Sequence, residues 1–496
     1  MPTVLHSQLS LPGSFEAPYL EYNRILPLET TETHVRVAVY GDPDPDVLAD
    51  LERDFGRPVE LVSVSGEELA DGIRRAYAAA ESMVEVVNDL RSNDGLSGGE
   101  DLALADARDL ASQPPVVKYV NLLITEAHGA RASDIHLEST RHGLRARLRV
   151  DGVLADAPAP PQQAQAAVVS RVKLLAELDI AERRAPQDGS FRIRLEAREL
   201  DIRVSTVPTL YGESVVLRLL DRGGQPVGLE ELGMASATLQ QFKRLIARPT
   251  GIVIAAGPTG SGKTTTLYSA LALRDTTAEK VITVEDPVEY HLSGVTQIPV
   301  NRKAGMTFAS ALRSVLRQDP DVMMVGEMRD PETAEVAVQA AMTGHLVFST
   351  LHTNDAPSAV TRLLDLQVAP YQIAATINGV LAQRLVRRIC PHCRERYRPD
   401  PQVVSFLSGE PKGIPQLVRG RGCEACRGTG YLGRIGIFEL LVVTESLNRA
   451  ISAREPLARL RELGEKEGMQ LMRRDGWVKV QAEMTTVEEV LRVTAH

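Results

Sequence analysis

The chain has 496 residues, 43% of them hydrophobic and 24% charged, with a formal net charge of −9. That balance excludes a largely disordered chain, and the length predicts three or so compact units at ~100–200 residues each. No stretch approaches the ~18 uncharged apolar residues of a membrane span, and Met1–Pro18 lacks a basic segment followed by an apolar core, so a cytosolic chain without a signal peptide is expected.

The first predicted unit, residues 1–92, reads as a small α+β pattern: a strand at His34–Tyr40, a helix at Pro45–Phe55 and a strand at Val59–Val64. It is strongly acidic. Residues 1–110 hold 22 acidic residues against 8 arginines and no lysine, whereas the remainder carries +5. Such asymmetry predicts an N-terminal module with its own partner, and the acidic total argues against a protein that coats nucleic acid. The Gly-rich Asn93–Glu100 opens a linker over residues 93–115. A second α+β unit, residues 116–220, begins with a helix at Val116–His128. Strands follow at Gly143–Val150, which turns at Asp151-Gly152, and at Phe191–Leu195 and Leu200–Val207. Beyond a linker at Asp221–Gly228, residues 229–389 alternate apolar strands with helices, the pattern of a parallel α/β sheet. A cysteine-bearing segment (390–430) and a tail read as helical (431–496) complete the chain.

Gly257-Pro258-Thr259-Gly260-Ser261-Gly262-Lys263-Thr264 fits GxxxxGK followed by Ser or Thr without a mismatch. It lies between the strand Gly251–Ala256 and a helix beginning near Thr264 and Thr265. Glycines let such a loop aim its N–H groups at phosphate oxygens, and the helix N-terminus adds a favourable dipole. Lys263 is placed to reach the β- and γ-phosphates of a nucleoside triphosphate and Thr264 to ligate Mg²⁺. The bland alternative is a chance Gly-rich turn; the strand–loop–helix context favours a P-loop NTPase.

Such a site needs acids on neighbouring strands. Val281–Val284 leads into Glu285 and Asp286, and Val322–Val325 leads into Gly326 and Glu327, each at the carboxyl end where ligands bind in open α/β sheets. Glu285 and Glu327 are the candidates, while Asp330 before Pro331 reads as a helix cap. Gly326 stands where a Walker B strand usually carries Asp. His345 and His352 flank the strand Leu346–Thr350. A lone His is more often structural, but His352 is placed to sense a γ-phosphate.

Cys390 and Cys393, then Cys423 and Cys426, form two CxxC pairs separated by 29 residues. Four thiolates suit a closed tetrahedral Zn²⁺ site of structural type. Disulfides are the alternative, disfavoured in a cytosolic chain.

Taken in order, these motifs resemble the secretion-ATPase superfamily of type II secretion, type IV pilus and type IV secretion motors. The matches are the Walker A at Gly257–Thr264, an Asp box at Ile282–Glu289, an atypical Walker B at Val322–Asp330 and a His box at Thr343–Asp355. Upstream, Ala132–Glu138 and Arg184–Gly189 resemble the preceding domain of the same family. The resemblance implies a RecA-like P-loop ATPase domain, a preceding PAS-like α+β domain, a zinc-binding tetracysteine lobe and a small N-terminal α+β domain. It further implies Glu327 as catalytic base, Glu285 as an Asp-box acid assisting metal and water, and Arg203 and Arg218 as arginines that reach a nucleotide. Without the resemblance, both arginines read as ordinary strand-surface residues. Arg313 and Arg317 are lesser candidates, for subunit contacts. Retraction motors generally lack the cysteine module; type II secretion (GspE-like) and pilus-extension (PilB-like) ATPases usually have it, and the short N-terminal unit favours the former. The resemblance thus implies a homo-hexamer on the cytoplasmic face of the bacterial inner membrane. It would dock on a GspL-like inner-membrane protein through residues 1–92 and serve an inner-membrane secretion platform. Stimulation by acidic phospholipids is implied, and no nucleic acid is expected.

Overall fold

The structure is a computed structural model. It describes residues 20–70 apart from 21, 31–33, 42 and 67, then 83–92, 104–195, 198–221, 227–400, 404 and 416–494. The linker at Asn93–Glu100 and most of the one at Asp221–Gly228 lie outside the described residues.

Near the N-terminus, β1 (Ile25–Thr30), β2 (Val35–Val39) and β3 (Val59–Ser63) form a three-stranded sheet in that order. β2 and β3 are parallel, with the helix Pro45–Phe55 as their crossover. Leu26, Val35, Val37 and Leu51 fill its core. The helix Met83–Ser92, which the sequence pattern groups with this unit, instead sends Val86, Val87 and Leu90 into the core of the next one.

That second unit holds the helices Leu104–Ala111, Pro114–Gly129 and Gln165–Leu175. Its strands are β4 (Ala132–Thr140), β5 (Gly143–Val150), β6 (Val153–Ala157), β7 (Gln187–Leu195), β8 (Arg198–Thr209) and β9 (Gly212–Asp221). They form an antiparallel sheet in the order β6-β5-β4-β9-β8-β7. The period of two turns Ile202, Val204 and Leu217 into the core, which leaves Arg203 and Arg218 for the opposite face. Register places these two arginines directly opposite each other on β8 and β9. β5 and β6 meet at Asp151 (φ 49°) and Gly152 (φ 85°), the pair of positive φ values a tight two-residue hairpin turn requires.

The third unit begins with the helix Ser236–Ile246. Its sheet is built from β10 (Gly251–Ala256), β11 (Val281–Glu285), β12 (Thr296–Pro299), β13 (Val322–Val325), β14 (Leu346–Leu351), β15 (Ile377–Ile389) and, after the cysteine lobe, β18 (Tyr431–Val442). The order is β12-β11-β13-β14-β10-β15-β18, parallel except for the β15–β18 pair. Both faces of β10 are buried: Ile252 and Ile254 enter one core and Val253 and Ala255 the other. Double burial explains the uninterrupted apolar strands of the sequence. Between Cys393 and Cys426, β16 (Arg394–Tyr397) and β17 (Leu417–Gly420) form a two-stranded ribbon.

Residues 431–442, grouped by sequence with a helical tail, are therefore an edge strand of the main sheet. Helices follow at Glu445–Ser452, Leu457–Lys466, Met472–Gln481 and Val487–Thr494, and Leu447, Leu460, Val480 and Val487 join the main core. No described helix is long and apolar enough to cross a membrane.

Candidate active site

β10 ends at Ala256 and the next helix starts at Lys263, so Gly257–Gly262 must reverse the chain in six residues. Gly257, Gly260 and Gly262 all have positive φ. A Cβ on Gly257 would stand 2.5 Å from Ser261 Oγ and 2.6 Å from Gln383 O, so only glycine fits there. Gln383, on adjacent β15, ties the loop to the sheet by donating Nε2 to Ser261 O at 2.7 Å. Lys263 Nζ donates to Gly257 O and Pro258 O, both at 2.8 Å. Burial brings its pKa down to about 8, against the pull of Glu327. Ser261 Oγ is buried without a hydrogen-bond partner. A lysine turned back on loop carbonyls, an unsatisfied hydroxyl and a helix N-terminus together fit a phosphate group.

Pro258 to Thr265 line a cavity of about 930 Å³, and Glu285, Glu327, His352 and Arg218 line it too. The two candidate acids differ in kind. Glu285 is 2% exposed. It accepts from Tyr268 Oη, from Thr283 Oγ1 at 2.5 Å and from Gln297 Nε2 at 3.2 Å. Tyr268 belongs to the helix after the phosphate loop, so Glu285 binds that helix to β11 and β12. Glu327 is more open. Its Oε2 lies 2.6 Å from Arg329 Nε and 3.4 Å from His352 Nε2. Burial, with the nearby Lys263 charge, lowers the His352 pKa, which favours a neutral ring at neutral pH.

Gly326 occupies the Asp position with its N–H on Val284 O (2.8 Å) and its carbonyl accepting from Thr350 Oγ1 (2.7 Å). Asp330 caps the helix Pro331–Met342 by accepting from Thr333 N at 2.8 Å. His345 Nδ1 lies 2.8 Å from Ala340 O, within a turn, and lines no part of the cavity.

From the second unit, Arg218 lines the cavity and donates Nε to the buried Asp134 at 2.9 Å. Arg149 stands 3.8 Å from the same carboxylate. Arg203 lies outside the lining; its Nη2 reaches Val288 O of the Asp box at 3.5 Å. Both Arg203 and Arg218 act on Glu289, whose pKa burial raises and these guanidinium groups pull back. The unit also docks through its β5–β6 turn, where Asp151 accepts from Gly433 N at 2.8 Å and faces Arg434 at 3.6 Å. An Arg427–Glu126 pair at 3.6 Å is largely exposed and adds little beside that backbone bond. Arg313 pairs with Glu332 at 2.7 Å, and Arg317 donates to Arg313 O at 2.6 Å; both stand apart from the cavity.

Sequence reasoning singled out the loop, Glu285, Glu327, His352 and Arg218, which the fold brings together. It missed Tyr268 and Gln383, which brace Glu285 and the phosphate loop, and Arg384 and Arg492, which line the cavity. Only its place in the mostly apolar first half of β15 hints at Gln383, a polar residue buried on a buried strand.

The four cysteine Sγ atoms lie within 4.8 Å of one another. Cys390–Cys423, Cys393–Cys426 and Cys423–Cys426 separations are 3.8, 3.8 and 3.7 Å, too long for disulfides. They match the edge of a tetrahedron with ~2.3 Å metal–sulfur bonds, roughly 3.8 Å. Burial opposes a thiolate at Cys426, but N–H groups of Cys423 and Gly430 at 3.1 and 3.2 Å bring its pKa down to about 6. The donor set fits a tetrahedral metal ion.

The sequence profile of the type II/IV secretion system proteins matches residues 109–492. The type II secretion system protein E of Xanthomonas campestris pv. campestris is 47% identical over 91% of this chain and 80% of its own length. The type II secretion system ATPase E of Vibrio cholerae is 42% identical over 96% of each chain. The type IV pilus assembly ATPase PilB of Thermus thermophilus is 47% identical over 76% of this chain but 43% of its own length. Among solved structures, the pilus retraction motor PilT with bound ADP has a TM-score of 0.50 and 26% identity, covering 75% of this chain and 96% of that one. The Legionella pneumophila ATPase DotB shares the fold, with a TM-score of 0.57, at 21% identity over 76% of this chain and 95% of that one. A family profile over residues 109–492, with relatives 42–47% identical over most of both chains, shows that the chain belongs to the type II/IV secretion system protein family.

Proposed function

We propose that this chain is the cytoplasmic ATPase motor of a type II secretion system, hydrolysing ATP to drive pseudopilus assembly and export of folded proteins across the outer membrane. The observation that carries this reading is the convergence of Lys263, Glu327, His352 and Arg218 on one cavity, in a chain 42% identical to a type II secretion system ATPase E over nearly all of both lengths. The loop Gly257–Thr265 holds the triphosphate, and Lys263 exchanges its carbonyl contacts for phosphate oxygens. Thr264 ligates Mg²⁺, which neutralises phosphate charge.

Glu327 takes the proton of the attacking water as general base, and His352 reads the γ-phosphate. Glu285 acts from behind, fixing the P-loop helix against the Asp box and so the place of metal and water. Arg218, with Arg203 on the neighbouring strand, offers positive charge to the transferred phosphoryl when the second unit closes. Zinc on Cys390, Cys393, Cys423 and Cys426 holds the lobe without taking part in chemistry.

The working form is a homo-hexamer, peripheral to the inner face of the inner membrane. It docks through residues 1–92 on a GspL-like protein and responds to acidic phospholipids rather than nucleic acid. A second reading, type IV pilus extension, draws on the PilB match, whose alignment spans 43% of that relative's length against 96% for the type II secretion system ATPase E. Complementation of a strain lacking the native gene tests the proposal: wild type restores secretion, and Lys263→Ala does not. Restoration by Lys263→Ala would remove ATP turnover from the account.

A further inference from the structure

The C-terminal helix Val487–Thr494 brings Arg492 and Val493 into the lining of the nucleotide cavity. β15 shows how so distant a segment arrives there. Alternation puts Gln383, Leu385 and Arg387 on one face of that strand. Gln383 holds Ser261 O. Leu385 lies 3.5 Å from where a Cβ on Gly262 would stand. Arg387 reaches the C-terminal helix, donating Nη2 to Glu489 Oε1 at 2.6 Å and its backbone N to Oε2 at 2.9 Å.

Glu489 in turn grips Arg492 with both oxygens, Nε at 2.9 Å and Nη2 at 2.7 Å. Burial works against this carboxylate, but Arg492 and Arg387 outweigh it and hold its pKa at about 2. The pair therefore stays ionised throughout the working range. The helix is pinned a second time where Tyr431, stacked under Arg387 at 4.1 Å, puts its hydroxyl 2.9 Å from Thr486 Oγ1. Arg492 is thus a guanidinium fixed in place by two bonds rather than a free surface side chain.

Glu327, His352 and Lys263 mark the phosphate end of the cavity. Leu385 and Val493 are apolar, and a triphosphate has no use for them; a flat, partly apolar nucleobase on its ribose has. A planar guanidinium is the cation best suited to stack on such a ring. We propose that Arg492, with Leu385 and Val493, forms the nucleoside end of the cavity, so that the C-terminal helix sets affinity for the base and sugar. The inference rests on reading the cavity as an ATP site.

Titration calorimetry on the full-length protein with Mg²⁺ tests it, using ATP and inorganic tripolyphosphate as separate probes. Arg492→Ala is expected to weaken ATP about tenfold, the scale of one desolvated stacking contact, and to leave tripolyphosphate unchanged. The KM for ATP should rise in step, with kcat within about twofold. Val493→Ala, a milder change, should shift ATP about threefold in the same direction. Unchanged ATP affinity in both variants overturns the proposal. So does equal weakening of both probes, which would mean that the helix acts only through the phosphate loop. Wild-type protein that binds neither probe would instead sink the ATP-site reading beneath it.

Discussion

The tetracysteine lobe draws its four thiols from 37 residues, Cys390 to Cys426, whereas the nucleotide cavity collects side chains from Ser133 to Val493. Both are built to hold charge, yet by different means. The lobe uses side-chain sulfur supported by a few backbone N–H groups. The cavity uses backbone wrapped around glycines, supported by side chains on strands of both the main sheet and the second unit's sheet. Damage to the first should therefore be local and structural, and damage to the second functional with the fold intact.

The largest break expected is Lys263→Ala. Losing the one cation inside the loop should lower kcat/KM on the order of 10³-fold, as for other preorganised groups that meet developing charge. Metal content by mass spectrometry should stay at one zinc per chain. Loss of zinc in that variant would mean that the two regions are not independent. The mirror experiment is Cys393→Ser, which leaves three thiols. Zinc should be lost and stability should fall by about 3 kcal/mol, read as a lower denaturant midpoint, with a smaller effect on turnover than Lys263→Ala.

The comparison also explains what could be read in advance. The phosphate loop, the two acids and the CxxC pairs are local patterns whose chemistry depends on spacing, so sequence exposes them. β10, β13 and β14 were legible because double burial leaves uninterrupted apolar runs. β18 was not, because a strand that closes a sheet edge after the cysteine lobe has no neighbour in sequence to announce it. Arg492 was invisible for the same reason: its place in the cavity lining depends on Glu489 meeting Arg387 across the β15 face. Glu285 shows a subtler limit, since the sequence marks the residue but not that Tyr268, Thr283 and Gln297 occupy its oxygens.

Smaller effects sharpen the contrast where the regions touch. Asp151 joins the second unit to the strand leaving the lobe, so Asp151→Ala should cost about 1 kcal/mol of docking, or roughly fivefold in KM for ATP. An unchanged KM would show that this contact does not hold the unit over the cavity. The smallest effect is protonic. Lys263, near 8 in the free protein, is raised again when phosphate anions replace its carbonyl partners. ATP binding should therefore take up a fraction of a proton above pH ~8, and affinity should fall as pH rises through that range. Calorimetry in buffers of different ionisation enthalpy measures the uptake, and Lys263→Ala should abolish it.

The most direct test is phosphate release from ATP and Mg²⁺ by full-length, zinc-loaded protein, with ATP binding measured on the same samples for wild type and Glu327→Gln. Wild type should turn over. Glu327→Gln should bind ATP as tightly but hydrolyse it on the order of 10²–10⁴ times more slowly, the loss of a general base. Equal turnover by both proteins, or wild type that binds ATP and releases no phosphate in any oligomeric state, would contradict the account.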